Sequence, residues 1–166
     1  MLGIDPGTAV TGWGVVETAG TGFRCVASGT LHLSSRRPLA GRLQQIRTVV
    51  AALLDEHDPA ALALEKAFVA HNVQSAFRLG EARGAVLIAA AEAGVSVFEY
   101  APAAVKLAVV GYGRADKRQM VRGVALRLGA PAAERADEAD ALALALCHLI
   151  GARWRGLAGS RREVAP

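Results

Sequence analysis

Lysine is scarce in this sequence. Only three of the 166 residues are lysines, Lys66, Lys106 and Lys117, against sixteen arginines. None of the three follows a glycine, so the phosphate-binding loop G-x-x-x-x-G-K-[ST] is absent. A Walker B aspartate requires such a loop upstream, and the stretch APAAERA before the letters D-E-A-D (137–140) is typical of a helix rather than a buried strand. The sequence therefore does not predict a helicase.

Cysteine and long apolar segments are also rare. The two cysteines, Cys25 and Cys147, are too few and too far apart to predict a disulfide framework. No apolar run reaches the roughly 18 residues that a membrane-spanning helix requires. The start MLGIDPG carries no basic leader, so we expect no secretory signal. These absences predict a cytoplasmic protein without a membrane partner.

The charge of the chain is a weak indication of its partner. The formal net charge is +4 and the isoelectric point is ≈ 9.6, which favours polyanions such as nucleic acid. The excess of arginine over lysine has a second explanation in coding bias. On charge alone, a basic soluble protein without a polyanionic partner is an equal alternative.

Hydrophobic periodicity predicts an α/β fold with a mixed sheet flanked by helices. Five strands are expected in the runs MLGID, TGWGVVET, FRCVASGTLHL, ALALE and VSVFEY. One helix is expected in PLAGRLQQIRTVVAALLDEHDP, ending at Pro59, and a second over 72–92 with Asn72 as its cap. Three more helices are expected around 103–110, 117–128 and 134–153. We expect a single domain over residues 1–153 and a flexible C-terminal tail over 154–166.

Four acidic residues are candidates for a functional site because of their positions. Asp137 and Asp140 are three residues apart on the last predicted helix, so their side chains share one face. The simple explanation is helix capping, with Asp137 as the N-cap and Asp140 at the third helical position. Asp5 and Glu65 each end a short apolar strand, where ligands of α/β sheets gather. The simple explanation for these two is a solvated strand boundary.

Convergence of the four carboxylates would create a metal site. Such groups held together repel one another and are protonated at neutral pH unless cations neutralise them. Ligand sets made only of oxygen select Mg²⁺ or Mn²⁺ over zinc or copper. Two such ions about 3.5–4 Å apart suit in-line hydrolysis of a phosphodiester. Convergence is a hypothesis here, because the pattern alone does not place the residues in space.

The sequence resembles the RuvC family of Holliday junction resolvases from Leu2 to about Ile150. Four blocks carry the resemblance: LGIDPGTAVTGWGVVE, LALEKAF, QSAFRLGEARGAVLIAAAEAGVSVFEYAPAAVKLAVVGYGRADK and DEADALALALCH. The resemblance implies a ribonuclease H-like fold with a mixed five-stranded sheet. It implies an endonuclease that resolves Holliday junctions in recombination and DNA repair by paired, metal-dependent hydrolysis. Its implied partners are four-way junction DNA, a second copy of the chain and the RuvAB branch-migration complex.

The resemblance also assigns roles to individual residues. The family's catalytic and metal-binding acids fall on Asp5, Glu65, Asp137 and Asp140, and imply two Mg²⁺ ions per site, with Mn²⁺ as a substitute.

Among the implied DNA contacts, Phe68 stacks on an unpaired or displaced base, and Lys106 and Lys117 touch phosphates near the scissile bond. Without the resemblance, Phe68 would be assigned to the core and the lysines to solvated surface. Lys66 stands where the family commonly has glutamine. We expect its ammonium to reach phosphate or to damp the carboxylate charge, which would alter metal affinity.

Three other functions are alternatives for this sequence. The block GIDPGT resembles the first phosphate loop of sugar-kinase, actin and chaperone ATPases, but these need a second domain and a second D-x-G loop, and Asp5-Pro6-Gly7 is the only D-x-G in the chain. A ribonuclease H-like nuclease acting on structured RNA shares the first motif but not the ALEKAF and DEAD blocks together. A non-catalytic junction-binding module would not require the intact acidic set.

The implied homodimer has one candidate surface. The helix predicted over 73–92 carries Ala76, Gly80 and Gly84 at four-residue spacing, which lets another helix approach closely. Glycine inside a helix costs up to about 1 kcal/mol relative to alanine, so a packing reason is expected. Either this face contacts a second copy, or it lies against the protein's own sheet.

Overall fold

A computed structural model of the chain describes residues 1–66, 73–129 and 136–160, with the side chains of 154–160 left out. Five strands form one sheet in the order β3-β2-β1-β4-β5. They are β1 Leu2–Asp5, β2 Val10–Ala19, β3 Gly22–His32, β4 Leu62–Glu65 and β5 Val97–Tyr100. β1, β2 and β3 pair antiparallel, whereas β4 runs parallel to β1 and β5 runs parallel to β4. The predicted mixed five-stranded sheet is confirmed.

Five helices are described, and their bounds are α1 Leu39–His57, α2 Val73–Glu92, α3 Pro102–Val110, α4 Lys117–Leu128 and α5 Ala136–Ser160. α1 ends where Asp58 adopts a left-handed conformation with φ 40°, directly before Pro59, as the proline predicted. Asn72, the predicted cap of α2, lies outside the described residues. None of the helices in the described parts of the chain combines the length and apolar character that a bilayer crossing demands.

Helix α5 extends further than predicted. The sequence suggested an end near Arg153 and a flexible tail from residue 154, whereas the helix continues through Ser160. Gly156 and Gly159 lie in this last stretch, and a helix passes a glycine at a cost of only about 1 kcal/mol. Residues 161–166 lie outside the description, so a flexible tail there stays a prediction.

The sheet separates two helical layers, because neighbouring side chains of a strand point to opposite faces. Leu2 and Ile4 of β1, with Leu62 and Leu64 of β4, pack into the core of the α1–α2 layer. Ala63 of β4 packs into the second core, which the α3–α5 layer covers. The alternation therefore turns Asp5 and Glu65, the last residues of β1 and β4, toward the α3–α5 layer.

Glycines in β1 and β2 bring α5 close to the sheet. A methyl group on Gly12 would overlap the carbonyl oxygen of Asp137, and one on Gly3 would overlap that of Ala141. Gly14 faces the same helix. Since these positions carry no side chain, the first turns of α5 lie directly above the end of β1. This contact was not predicted, although the three glycines share one face of two adjacent strands.

Candidate active site

Three carboxylates converge at the carboxyl end of β1. Asp5 is the last residue of β1, and Asp137 and Asp140 lie in the first turns of α5. One oxygen atom from each side chain lies within 4.8 Å of the other two. α5 begins at Ala136, so Asp137 lies inside the helix rather than at its cap. The capping explanation therefore does not describe this pair, because both side chains approach Asp5.

Glu65 joins the group from the neighbouring strand. β1 and β4 are parallel with Ile4 opposite Leu64, which places Asp5 and Glu65 side by side at the carboxyl ends of the two strands. Both carboxylates and that of Asp140 line a cleft of ≈ 150 Å³. The rest of its lining is Lys106 and apolar side chains of α3, α4 and α5, namely Pro102, Val105, Met120, Ala143 and Leu144. The cleft is thus acidic on the sheet side and mostly apolar on the helix side.

The electrostatics of the cleft indicate an excess of negative charge. Burial, followed by the carboxylates of Asp140, Glu65 and Asp137, raises the pKa of Asp5 from 3.8 to about 7, with Lys117 opposing the shift. Burial and the charge of Asp140 also raise the pKa of Glu65, and Lys106 opposes that shift. Neighbouring carboxylates hold protons in this way when no cation balances their charge. The donor set, carboxylate oxygen throughout, fits a hard divalent cation.

Two lysines border the acids. Lys117, the first residue of α4, places its Nζ 3.4 Å from Oδ2 of Asp140. A capping box fixes the start of α4. The backbone N–H of Gln119 donates to Oδ1 of Asp116 at 2.8 Å, and the backbone N–H of Asp116 donates to Oε1 of Gln119 at 2.8 Å. Lys106, on α3, lines the same cleft. Both lysines therefore border the position that a phosphate next to the acids would occupy.

The remaining predicted DNA contacts are Lys66 and Phe68. Lys66 follows β4 directly and is exposed. Its predicted contact with phosphate and its predicted effect on the charge of the acids stay predictions. Phe68 lies outside the described residues. Its predicted stacking role stays a prediction.

Arg83 contacts the site but was not predicted. Its guanidinium donates to the carbonyl oxygen of Glu65 and pairs with Glu99. A signal was present in the sequence, because Arg83 occupies a position in helical register with the buried Val86 and Ala90. A charged residue in an apolar stripe requires buried partners.

Comparison with known proteins assigns the chain to a family. The family model described as "Crossover junction endodeoxyribonuclease RuvC" matches residues 1–148. Proteins of that description from Halorhodospira halophila and Magnetococcus marinus are 52% and 44% identical to the chain. These matches cover 89% and 93% of the chain and 88% and 86% of the relatives.

Solved structures agree with this assignment. Thermus thermophilus RuvC in complex with a Holliday junction substrate superimposes with a TM-score of 0.87 at 38% identity, covering 92% of this chain and 94% of that one. The yeast mitochondrial resolvase Ydc2 shares the fold alone, with a TM-score of 0.63 at 10% identity, covering 96% of this chain and 84% of that one. The predicted ribonuclease H-like fold is confirmed. On the family match, the identities and the superposition together, the chain belongs to the RuvC family of crossover junction endodeoxyribonucleases.

Proposed function

We propose that the protein resolves four-way DNA junctions by metal-dependent hydrolysis of phosphodiester bonds. The observation that carries the proposal is the convergence of Asp5, Asp137 and Asp140 within 4.8 Å, beside Glu65, in a chain of the RuvC family. The relatives named above act on crossover junctions, which favours DNA over the structured RNA of the alternative. Recombination and DNA repair are the processes in which such junctions arise.

The acids would hold the metal. Asp5, Asp137 and Asp140 would supply one ligand atom each in the described geometry, and Glu65 lies beside Asp5 in the same cleft. Carboxylate oxygens favour hard divalent cations, so the cofactor would be Mg²⁺, with Mn²⁺ as a substitute. Each site would hold two ions. When bound, the ions would activate water and neutralise charge on the phosphate oxygens. The raised pKa of Asp5, caused first by burial and then by three neighbouring carboxylates, supports this assignment, because such a cluster favours a bound cation.

The lysines would bind the substrate phosphate. Lys117 lies 3.4 Å from Asp140 and Lys106 lines the cleft, so both ammonium groups border the position of the scissile bond. Such groups stabilise the negative charge that develops as the bond breaks. Lys66 and Phe68, directly after β4, would contact the backbone and a displaced base of the junction, as the resemblance implies.

A symmetric homodimer would deliver two cuts. A junction is resolved by nicks in two strands related by a two-fold axis, and two identical sites match that symmetry. Helix α2 supports this arrangement, because Val73, Phe77 and Ile88 are 63%, 69% and 54% exposed along one side. A methyl group on Gly80 or Gly84 would meet none of the described atoms within 4 Å, which favours a contact with a second copy over packing of these glycines against the protein's own sheet. α2 packs on its own core through Ala82, Ala85, Val86, Ala89 and Ala90 instead.

The RuvAB branch-migration complex is the further partner that the resemblance implies, and the cytoplasm is the implied location. Both stay predictions.

The deciding experiment is incubation with a synthetic four-way junction, with and without Mg²⁺. We expect paired nicks in strands of like polarity only when Mg²⁺ is present. A linear duplex of the same sequence is the control for junction selectivity, and a structured RNA tests the alternative. Cleavage of the RNA in preference to the junction would overturn the proposal. A rise in thermal stability with ATP would instead favour the ATPase alternative.

A further inference from the structure

Arg83 connects helix α2 to the last residue of β4. Its Nη1 donates to the carbonyl oxygen of Glu65 at 2.7 Å, and its Nη2 pairs with Oε1 of Glu99 on β5. The Arg83 side chain is 11% exposed. Burying a guanidinium is unfavourable unless its donors find partners, and Nη1 and Nη2 find theirs on β4 and β5.

The two ends of one peptide group are held at this point. The carbonyl of Glu65 accepts from Arg83, and the N–H of Lys66, in the same planar peptide unit, donates to the carbonyl oxygen of Tyr100 at 2.9 Å. Since the plane is fixed from both sides, rotation about the Cα–C bond of Glu65 is restricted. The direction in which the Glu65 side chain leaves the backbone is restricted with it.

We propose that Arg83 is a positioning residue that holds Glu65 in the orientation needed to bind metal. The proposal rests on the proposed metal-binding role of Glu65. Arg83 contacts the backbone of Glu65 and leaves the carboxylate available to the cleft. An arginine suits this task because its planar fork bonds two acceptors at fixed angles, whereas a lysine offers one ammonium group.

The test compares the wild type with Arg83→Ala, Arg83→Lys and Glu99→Gln in the full chain. Junction cleavage is measured as a function of Mg²⁺ concentration, junction affinity without metal, and Tm. Residues that orient metal ligands typically contribute about 10- to 100-fold in metal affinity or activity. We expect Arg83→Ala to raise the half-saturating Mg²⁺ concentration and lower the maximal rate to that extent, with junction affinity unchanged.

Arg83→Lys should fall between Arg83→Ala and the wild type, because a single ammonium nitrogen does not reproduce the two fixed bond directions of the guanidinium. Glu99→Gln keeps the Arg83–Glu65 bond and should remain close to the wild type. If Arg83→Ala does not fold, Arg83→Lys makes the same comparison: a raised Mg²⁺ requirement supports the proposal and an unchanged one overturns it.

A lower Tm for Arg83→Ala with an unchanged Mg²⁺ dependence would reduce Arg83 to a structural residue and overturn the proposal. Glu65→Gln separates this outcome from failure of the proposed function. Loss of cleavage in Glu65→Gln would support the metal-binding role of Glu65, whatever the Arg83 variants show. Normal cleavage in that variant would remove Glu65 from the site and the Arg83 proposal with it.

Discussion

The two helical layers use glycine in opposite ways. On the α5 side, the strand glycines leave no room for a methyl group, and the helix rests directly on them: Gly3, Gly12 and Gly14. In α1 and α2, on the other side of the sheet, a methyl group would meet open space at Gly41, Gly80 and Gly84. The first set closes a contact within the chain, and the second set leaves a surface uncovered.

The two layers also differ in the side chains that they present. The α3–α5 layer contributes two of the four acids and two lysines, and it faces the other two acids at the ends of β1 and β4. In contrast, α2 presents exposed apolar side chains. We infer that one layer carries out hydrolysis and the other joins two copies. Arg83 belongs to α2 but reaches the end of β4, so it connects the α1–α2 layer to the strand that carries Glu65.

The largest effect is expected in the acidic cluster. Asp140→Asn keeps the shape of the side chain but removes a charge that metal binding needs, so cleavage should be abolished at every Mg²⁺ concentration. Junction affinity should persist, because contacts to phosphate dominate it. Cleavage and binding assays on one junction measure both quantities.

Glu138→Gln is the matched control for Asp140→Asn. Glu138 lies in the same turn of α5 but outside the converging group, so this variant should cleave like the wild type. Wild-type turnover in Asp140→Asn would contradict the assignment of the site.

A strong but smaller effect is expected where α5 meets β2. The added methyl of Gly12→Ala would overlap the carbonyl of Asp137, so α5 must shift and carry its aspartates away from Asp5. Overpacking of this kind costs about 1–3 kcal/mol. We expect a folded protein with a lower Tm and much weaker cleavage at moderate Mg²⁺.

Gly41→Ala makes the same change in the other layer. It meets open space in α1 and should raise stability by up to about 1 kcal/mol with no effect on cleavage. Equal behaviour of the two alanine variants would remove the distinction between the layers.

A third effect concerns association. Ile88→Glu places a charge on the exposed stripe of α2, where a dimer would have to bury it, so sedimentation at micromolar concentration should find monomers. Paired nicking within one binding event should be lost, and single nicks should remain. Leu126→Glu changes a residue that is 83% exposed on α4 and should leave the dimer intact. A dimer that survives Ile88→Glu would place the interface elsewhere.

Local signals explain why much of this architecture was predictable. The bounds predicted for α4 match the structure, because Asp116 and Gln119 form a capping box and Gly129 ends the helix with φ 73°. Asp5 and Glu65 were predicted because each ends a short apolar strand, and the parallel pairing of β1 with β4 places them side by side. The contact of Gly12 with α5 depends on chain segments far apart in sequence. No local pattern records it.

The smallest effect is a pH dependence that only the acidic layer should show. The pKa of Asp5 is raised from 3.8 to about 7 in the folded, metal-free protein, first by burial and then by neighbouring carboxylates. Between these two values the folded state binds a proton that the unfolded state has released. The resulting stabilisation is complete below pH 3.8 and is lost as the pH rises through about 7, so the free energy of unfolding in EDTA should fall across this window.

Mg²⁺ should raise Tm more at pH 8 than at pH 5, since at the lower pH it must displace the proton. Asp5→Asn, neutral throughout, should raise the metal-free Tm at pH 8 and weaken the response to Mg²⁺. Asp55→Asn, on the exposed side of α1, should alter neither quantity. Thermal melts at several pH values measure these differences, and a metal-free Tm lower in Asp5→Asn than in the wild type at pH 8 would mean that Asp5 stabilises the fold through its charge.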